Sequence, residues 1–163
     1  EYFISIGVKH DSFDWNGKDG AIKVDLAKPL KLEEYDIVTN LGTSEHVHNQ
    51  YYVFNNIHNM CKANGVMIHS VPFENSWPKH CNFYYSVDFF KKLSEECNYK
   101  IILNEVDRIR GDQHELVTAI LQKKENSQFV PNIDELDFVK ELGIIERNDS
   151  SPSDNLSSHE LSN

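Results

Sequence analysis

Apolar residues recur along the chain with two different periods, and the points where the period changes mark its elements. In "YDIVTNLG" (35–42), Ile37, Val38 and Leu41 make a short apolar run that ends on glycine and reads as a buried strand. From Asn49 to about Cys61 the pattern is helical, with Val53, Ile57, Met60 and Cys61 on one face, Asn49 as the cap and Asn64-Gly65 as the stop. "VMIHSVP" (66–72) is again apolar over a strand's length, and Pro72 closes it. Ser86 opens a second helix, with Phe89, Phe90, Leu93 and Cys97 on its apolar face. "KIILNEV" (100–106) and "HELVTAILQ" (114–122) follow as strands with no helical segment between them. A turn from Arg108 to Asp112, containing Gly111, joins them. Upstream, "DSFDWNG" (11–17) and "AIKVDL" (21–26) read as short strands around the turn signal Asn16-Gly17-Lys18-Asp19-Gly20.

Strand and helix alternate first, and a hairpin comes last. That order predicts an α/β fold, a Rossmann-like doubly wound sheet finished by a C-terminal antiparallel hairpin over residues 1–126. From Ser127 the character changes. In "PNIDELDFVKELG", Asn132 and Glu135 are spaced as a capping box for a short helix over about 132–142, which Gly143 ends. Residues 150–163 contain six serines among polar residues and are expected to be disordered. Residues 127–163 therefore form a C-terminal extension.

Charge sharpens this division. The net charge is −10, and residues 127–163 carry 2 basic against 8 acidic side chains, while residues 1–126 carry 14 against 18. Neither part has the basic stripe that a phosphate backbone requires, so no nucleic-acid partner is expected. No apolar run approaches the roughly 18 residues of a membrane span, and no charged leader precedes Glu1-Tyr2-Phe3, so no membrane partner is expected. The missing initiator Met points to sequence upstream. Cys61, Cys81 and Cys97 form no CxxC pair and read as reduced thiols of a cytoplasmic protein.

The chemistry concentrates where "YDIVTNL" ends. Glu45, His46, His48 and Asn49 follow one another at the carboxyl end of a strand, the end at which an open parallel sheet binds ligands. Imidazole titrates near neutrality and suits a general base. His46-Val47-His48, with His69 or His80, is also the material of a divalent-metal site, but no third ligand is fixed by spacing and no metal is assigned. "SWPKHCNFYY" (76–85) is aromatic and polar enough for a lid over a small acceptor.

The words "DWNG" then "VDL", "YDIVTNLGTSEHV", "NGVMIHSVP" and the closing "AILQKKE" span about residues 8–126. Each is short, but in this order and spacing the chain resembles the class I S-adenosylmethionine-dependent methyltransferases of the small-molecule branch. The resemblance implies S-adenosylmethionine as cofactor. It puts Asp14 on the ribose hydroxyls, Asp25 and Leu26 at the adenine, and Asn40, Leu41 and Gly42 beneath the methionine moiety. Asp14 reads equally as a turn residue beside Asn16-Gly17. The loop after the family's fourth strand faces the transferred methyl group. Glu45 and His46 are thus implied catalytic candidates, His46 as base and Glu45 as its holder or a substrate contact. The pair also reads as loop structure that caps the next helix.

One departure is large. The family's first strand and its glycine-rich loop have no counterpart upstream of Asp14. Residues 1–10 resemble the end of the helix that follows that loop, although "YFISIGV" has strand propensity. The first strand lies centrally in the family's sheet, between the second and the fourth. Its loss would strand backbone groups at about 1–3 kcal/mol each. The chain is therefore expected to be a fragment of a longer methyltransferase. It would pass a methyl group to a small-molecule acceptor, with a sugar-linked metabolite suited to the polar, aromatic lid. A non-catalytic methyltransferase-like module that has lost cofactor binding is the alternative.

Overall fold

A computed structural model describes residues 2–74, 76–77, 79–108 and 114–147. A short helix α1 (Tyr2–Ser5) leads to β1 (Phe13–Asp14) and β2 (Ile22–Lys23), which pair in parallel as a small separate sheet. Both are shorter than the apolar pattern predicts. The main sheet has four strands in the order β3-β4-β7-β6, namely Tyr35–Leu41, Cys61–Pro72, Glu115–Lys123 and Tyr99–Arg108. β3 and β4 run parallel, joined by α2 (Gln50–Met60), and β7 runs antiparallel to both β4 and β6. A two-residue β5 (Phe83–Tyr84) and α3 (Val87–Glu96) connect β4 to β6. The expected alternation and the closing antiparallel pair are thus both present. The turn between β6 and β7, with Gly111, lies outside the described residues.

The sheet is clothed on one face. Val38, Met67, Val71, Val117, Ala119 and Leu121 alternate inward and share one core with Val53, Phe54 and Ile57 of α2 and Phe89, Phe90 and Leu93 of α3. Phe54 packs edge-on to Phe89 at 5.1 Å between ring centres. On the opposite face of β3, Ile37 and Leu41 are 61% and 60% exposed. The doubly wound layering read from the sequence is therefore met on one face only among the described residues. β3 is an edge strand, as the lack of a first strand leads one to expect.

Both helices start where their caps predict. The Asn49 side chain accepts from the Tyr52 N–H at 3.0 Å, and Ser86 Oγ accepts from the Phe89 N–H at 3.1 Å. α2 ends within one residue of Cys61, as expected, but Asn64-Gly65 is not what stops it. The helix stops at Met60, because the buried Lys123 ammonium donates to the carbonyls of His58 and Cys61, both at 2.9 Å. A cation at free terminal carbonyls complements the helix dipole. Asn64-Gly65, the predicted stop, instead bends β4, where the register jumps from Tyr35↔Cys61 to Ile37↔Val66. Asn64 takes φ 66° there.

The C-terminal extension is short of helix. α4 spans only Phe138–Leu142, with Gly143 following it. The predicted capping box does not form, because its members serve other elements: Asn132 donates to Glu96 and Glu135 accepts from Asn49. Phe129, Val130, Phe138, Leu142 and Ile144 are buried in the common core. β8 (Ile145–Glu146) then pairs antiparallel with β5. The serine-rich stretch 150–163 lies outside the described residues.

Gly65 supplies a test of the β4 bend. A Cβ there would stand 2.9 Å from both Cys61 Sγ and the Lys62 carbonyl, and 3.0 Å from the Asp36 carbonyl. Backbone must therefore shift, and Gly65→Ala should cost about 1–3 kcal/mol, the range of overpacked sites. Urea denaturation checks this; an unchanged midpoint would mean that the bend yields freely.

Candidate active site

At the carboxyl end of β3 a buried amide organises the loop that follows. Asn40 is 3% exposed and lies across the sheet from His69 of β4. Its Oδ1 accepts from the Ser44 N–H at 3.1 Å, while its Nδ2 donates to Ser44 Oγ at 2.9 Å and stands 3.2 Å from His69 Nδ1. Burial drives the His69 pKa down to about 3, so the ring is neutral and Nδ1 is free to accept. The Tyr85 hydroxyl donates to Gln50 Oε1 at 2.7 Å and lies 3.0 Å from Ser44 Oγ. Gln50 Nε2 in turn donates to the carbonyls of Ser44 and Val47. Every group in this network has a partner, as burial demands.

The loop it fixes begins at Gly42. The chain turns there with φ 66°, and the Gly42 N–H still donates to the Ser70 carbonyl at 3.0 Å. A Cβ at Gly42 would lie in ordinary contact with Glu45 Oε1, so the requirement is conformational. Ser44–His46 then forms a single 3-10 turn that directs the Glu45 side chain inward.

Glu45 is the electrostatic anomaly of the mouth. Its side chain is 2% exposed, and its Oε2 has no hydrogen-bond partner. Burial raises its pKa to about 7, since a carboxylate loses its hydration there. Its Oε1 stands 3.7 Å from His46 Nε2, too long for a hydrogen bond. Burial also lowers the His46 pKa, with the neighbouring His80 adding to the effect. Geometry alone would read this contact as an ion pair, but burial penalises both charges. Burial thus raises the proton affinity of the carboxyl group and lowers that of the imidazole beside it, so a proton shared by the two favours Glu45. Neither residue caps α2, because Asn49 does.

A second loop meets the first. Asn82 donates from its backbone N–H to the Glu45 carbonyl at 3.0 Å. His80 lies edge-on to His46, with ring centres 5.3 Å apart, and Trp77 lies 5.4 Å from His80 and 4.2 Å from His114. The extension secures this loop, since Arg147 donates to the carbonyls of Asn82 and Lys79. Among the described residues, no three histidine, cysteine or carboxylate side chains gather as metal ligands. His48 is exposed, and the three cysteines are buried free thiols.

The residues assigned to the cofactor by resemblance fall into two groups. Leu41 and Gly42 reach the surface at the same mouth as Glu45 and His46, whereas Asn40 is buried beneath it. Asp14 ends β1 and Asp25 follows β2 of the small sheet. Asp14 is exposed, and its Oδ1 accepts from the Asn16 N–H at 2.7 Å in a local turn. Asp25 accepts from the Ala27 N–H and pairs with Lys28 at 2.8 Å, which lowers its pKa. Leu26 is half-buried against the core, and its carbonyl accepts from Asn56. Sequence reasoning did not single out Ser44, Gln50 and Tyr85. Only their position between two polar loops gives them a role, and no local motif signals it.

No family model matches the chain, and no curated protein matches it. Solved structures do. A 1,6-didemethyltoxoflavin N1-methyltransferase from Burkholderia thailandensis, with 1,6-didemethyltoxoflavin and S-adenosylhomocysteine bound, superposes with a TM-score of 0.57. It is 11% identical over 76% of this chain and 65% of its own. The StiE O-MT matches at a TM-score of 0.48 and 12% identity, over 76% of this chain and 53% of that one. The chain thus spans about 65% of the length of the first of these relatives. The fold resembles that of small-molecule methyltransferases in part.

Glu45 gives the site a pH signature. An unfolded glutamate ionises near 4.5, and the folded one near 7. Between these values the unfolded chain releases a proton that the folded chain keeps. Folded-state stability is therefore favoured below about 4.5 and declines as pH rises to about 7. Glu45→Gln should remove this slope. Relative to the variant, the parent chain should lose about 3 kcal/mol across that window in urea titrations. Parallel curves would show that Glu45 is solvated.

Proposed function

We propose that this chain is the acceptor-side part of a small-molecule methyltransferase that uses S-adenosylmethionine. The observation that carries the reading is the mouth at the end of β3. A glycine turn, a buried carboxyl group whose pKa burial raises and an imidazole whose pKa burial lowers stand together there, on a sheet that resembles a methyltransferase with S-adenosylhomocysteine bound. Methyl transfer is an in-line displacement at a sulfonium carbon. Proximity and orientation supply most of its acceleration. The residues here would contribute a rigid loop and a base: unprotonated His46 takes a proton from an acceptor O–H or N–H as the new bond forms.

In this reading Asp14, Asp25 and Leu26 contact the nucleoside part of the cofactor, and Leu41 and Gly42 its methionine end. The exposed apolar face of β3, with Ile37 and Leu41, supports a covering layer in the working protein, and the free edge of β3 supports a further strand beside it. A second reading, a non-catalytic module, is favoured by the local engagement of Asp14 and Asp25 in turns and an ion pair.

Calorimetry with S-adenosylhomocysteine separates the two. The catalytic reading expects weak binding, because these 163 residues contain no glycine-rich loop upstream of Asp14, and expects Asp14→Ala to weaken it further. The module reading expects no heat at any ligand concentration. In a form that turns over, His46→Ala should slow methyl transfer roughly 100-fold or more, the range for a positioned acid–base group, with cofactor affinity unchanged. A normal rate per folded molecule would retire His46 as the base.

A further inference from the structure

The loop that carries Trp77 and His80 is built at a conformational cost. Trp77 and Lys79 take φ values of 52° and 65°, a left-handed region that side chains disfavour. Such conformations persist only where surrounding contacts enforce them, and they cluster at ligand sites. The enforcing contacts are present. Trp77 Nε1 donates to the Glu115 carbonyl at 3.2 Å, and the Asn82 N–H donates to the Glu45 carbonyl. Arg147 holds the carbonyls of Lys79 and Asn82. The result is a continuous row of half-buried rings, His46, His80, Trp77 and His114, standing beside the buried Glu45 carboxyl group with its unpartnered Oε2.

We propose that Trp77 and His80, with His46, form the wall that binds the acceptor, and that this wall takes a planar aromatic or heteroaromatic ring bearing one O–H or N–H. Two features select a flat ring over a sugar. The amides around the mouth are already engaged: Asn40 with Ser44, Gln50 with Tyr85 and two carbonyls, and Asn49 with the α2 cap and Glu135. A sugar would leave several hydroxyl groups without partners, which burial penalises. The single polar atom of Trp77 is also committed to Glu115 and one side of its ring lies against His114, so the indole offers its other face rather than a donor. A ring stacks on that face at offset or edge-on geometry, and its one protic group needs one imidazole.

The proposal rests on the methyltransferase reading for the fate of the ligand but not for its binding, so the test needs no turnover. The full chain in a Trp15→Phe background retains Trp77 as its sole indole. 4-Hydroxyquinoline and methyl β-D-glucopyranoside serve as probes, followed by Trp77 fluorescence and by the ring resonances of His46 and His80. The expected result is quenching and histidine shifts with 4-hydroxyquinoline alone. Trp77→Ala and His80→Ala should each weaken binding by about three- to tenfold, the scale of one aromatic contact. The variants, which lack the indole or its neighbour, are read from the quinoline's own NMR signals, where Trp77→Phe, which keeps a ring, should restore part of the loss and guard against a misfolded alanine variant. Glucoside binding at these residues, quinoline binding indifferent to both substitutions, or no response to either probe would each overturn the proposal. S-Adenosylhomocysteine calorimetry is read separately. Its failure beside intact quinoline binding would sink the methyltransferase reading and leave the wall standing.

Discussion

Burying a carboxamide at the end of a parallel strand obliges the chain to supply partners for both of its ends, and the mouth is assembled by meeting that demand. Asn40 sits inward because its neighbour Val38 does; two residues along a strand share a face. Its oxygen and nitrogen then require Ser44 and His69, Ser44 in turn meets Tyr85, and Tyr85 meets Gln50. A loop that would otherwise be free is tied at once to β4, to the first turn of α2 and to the segment leading into α3. An unpaired member would cost on the order of 1–3 kcal/mol, so the network is held together by the penalty for breaking it.

The same burial governs the electrostatics. Histidines 58 and 69 are held neutral, with pKa values lowered to about 4 and about 3, while the Glu45 pKa is raised to about 7. One cause, loss of hydration, moves acids and bases in opposite directions, each toward its uncharged form. His58 places one ring nitrogen 2.5 Å from the Tyr99 hydroxyl and the other 2.8 Å from the Ser127 carbonyl, which makes its role structural. The Glu45 carboxyl group lacks such a network, and its Oε2 has no partner. That contrast separates a buried polar group fully satisfied by its neighbours from one left partly unsatisfied.

The C-terminal extension takes part in both the core and the mouth. Phe138 packs 5.7 Å from Phe129 and 6.1 Å from Phe54, so the extension closes the helical layer. Beyond Gly143 the chain returns as β8 along β5, and Arg147 grips the loop that presents His80. An acidic stretch that reads as an appendage thus has a structural duty at the candidate site.

Local regularities determined much of the fold. The caps Asn49 and Ser86, the apolar faces of α2 and α3 and the four main strands are properties of neighbours in sequence, and neighbours suffice to encode them. The position of Glu45 and His46 at the end of β3 was legible for the same reason, since a strand's direction fixes where its loop emerges. What long-range packing decided was invisible at that scale. Asn64-Gly65 carries a stop signal, yet Lys123, some sixty residues on, ends α2 first and leaves those residues to bend a strand. Asn132 and Glu135 have capping-box spacing, but partners on α3 and at Asn49 outcompete the local bond. The charge state of Glu45 belongs to tertiary structure alone, because hydration is removed by residues distant in sequence, and no pattern of neighbours records how much water a side chain will lose.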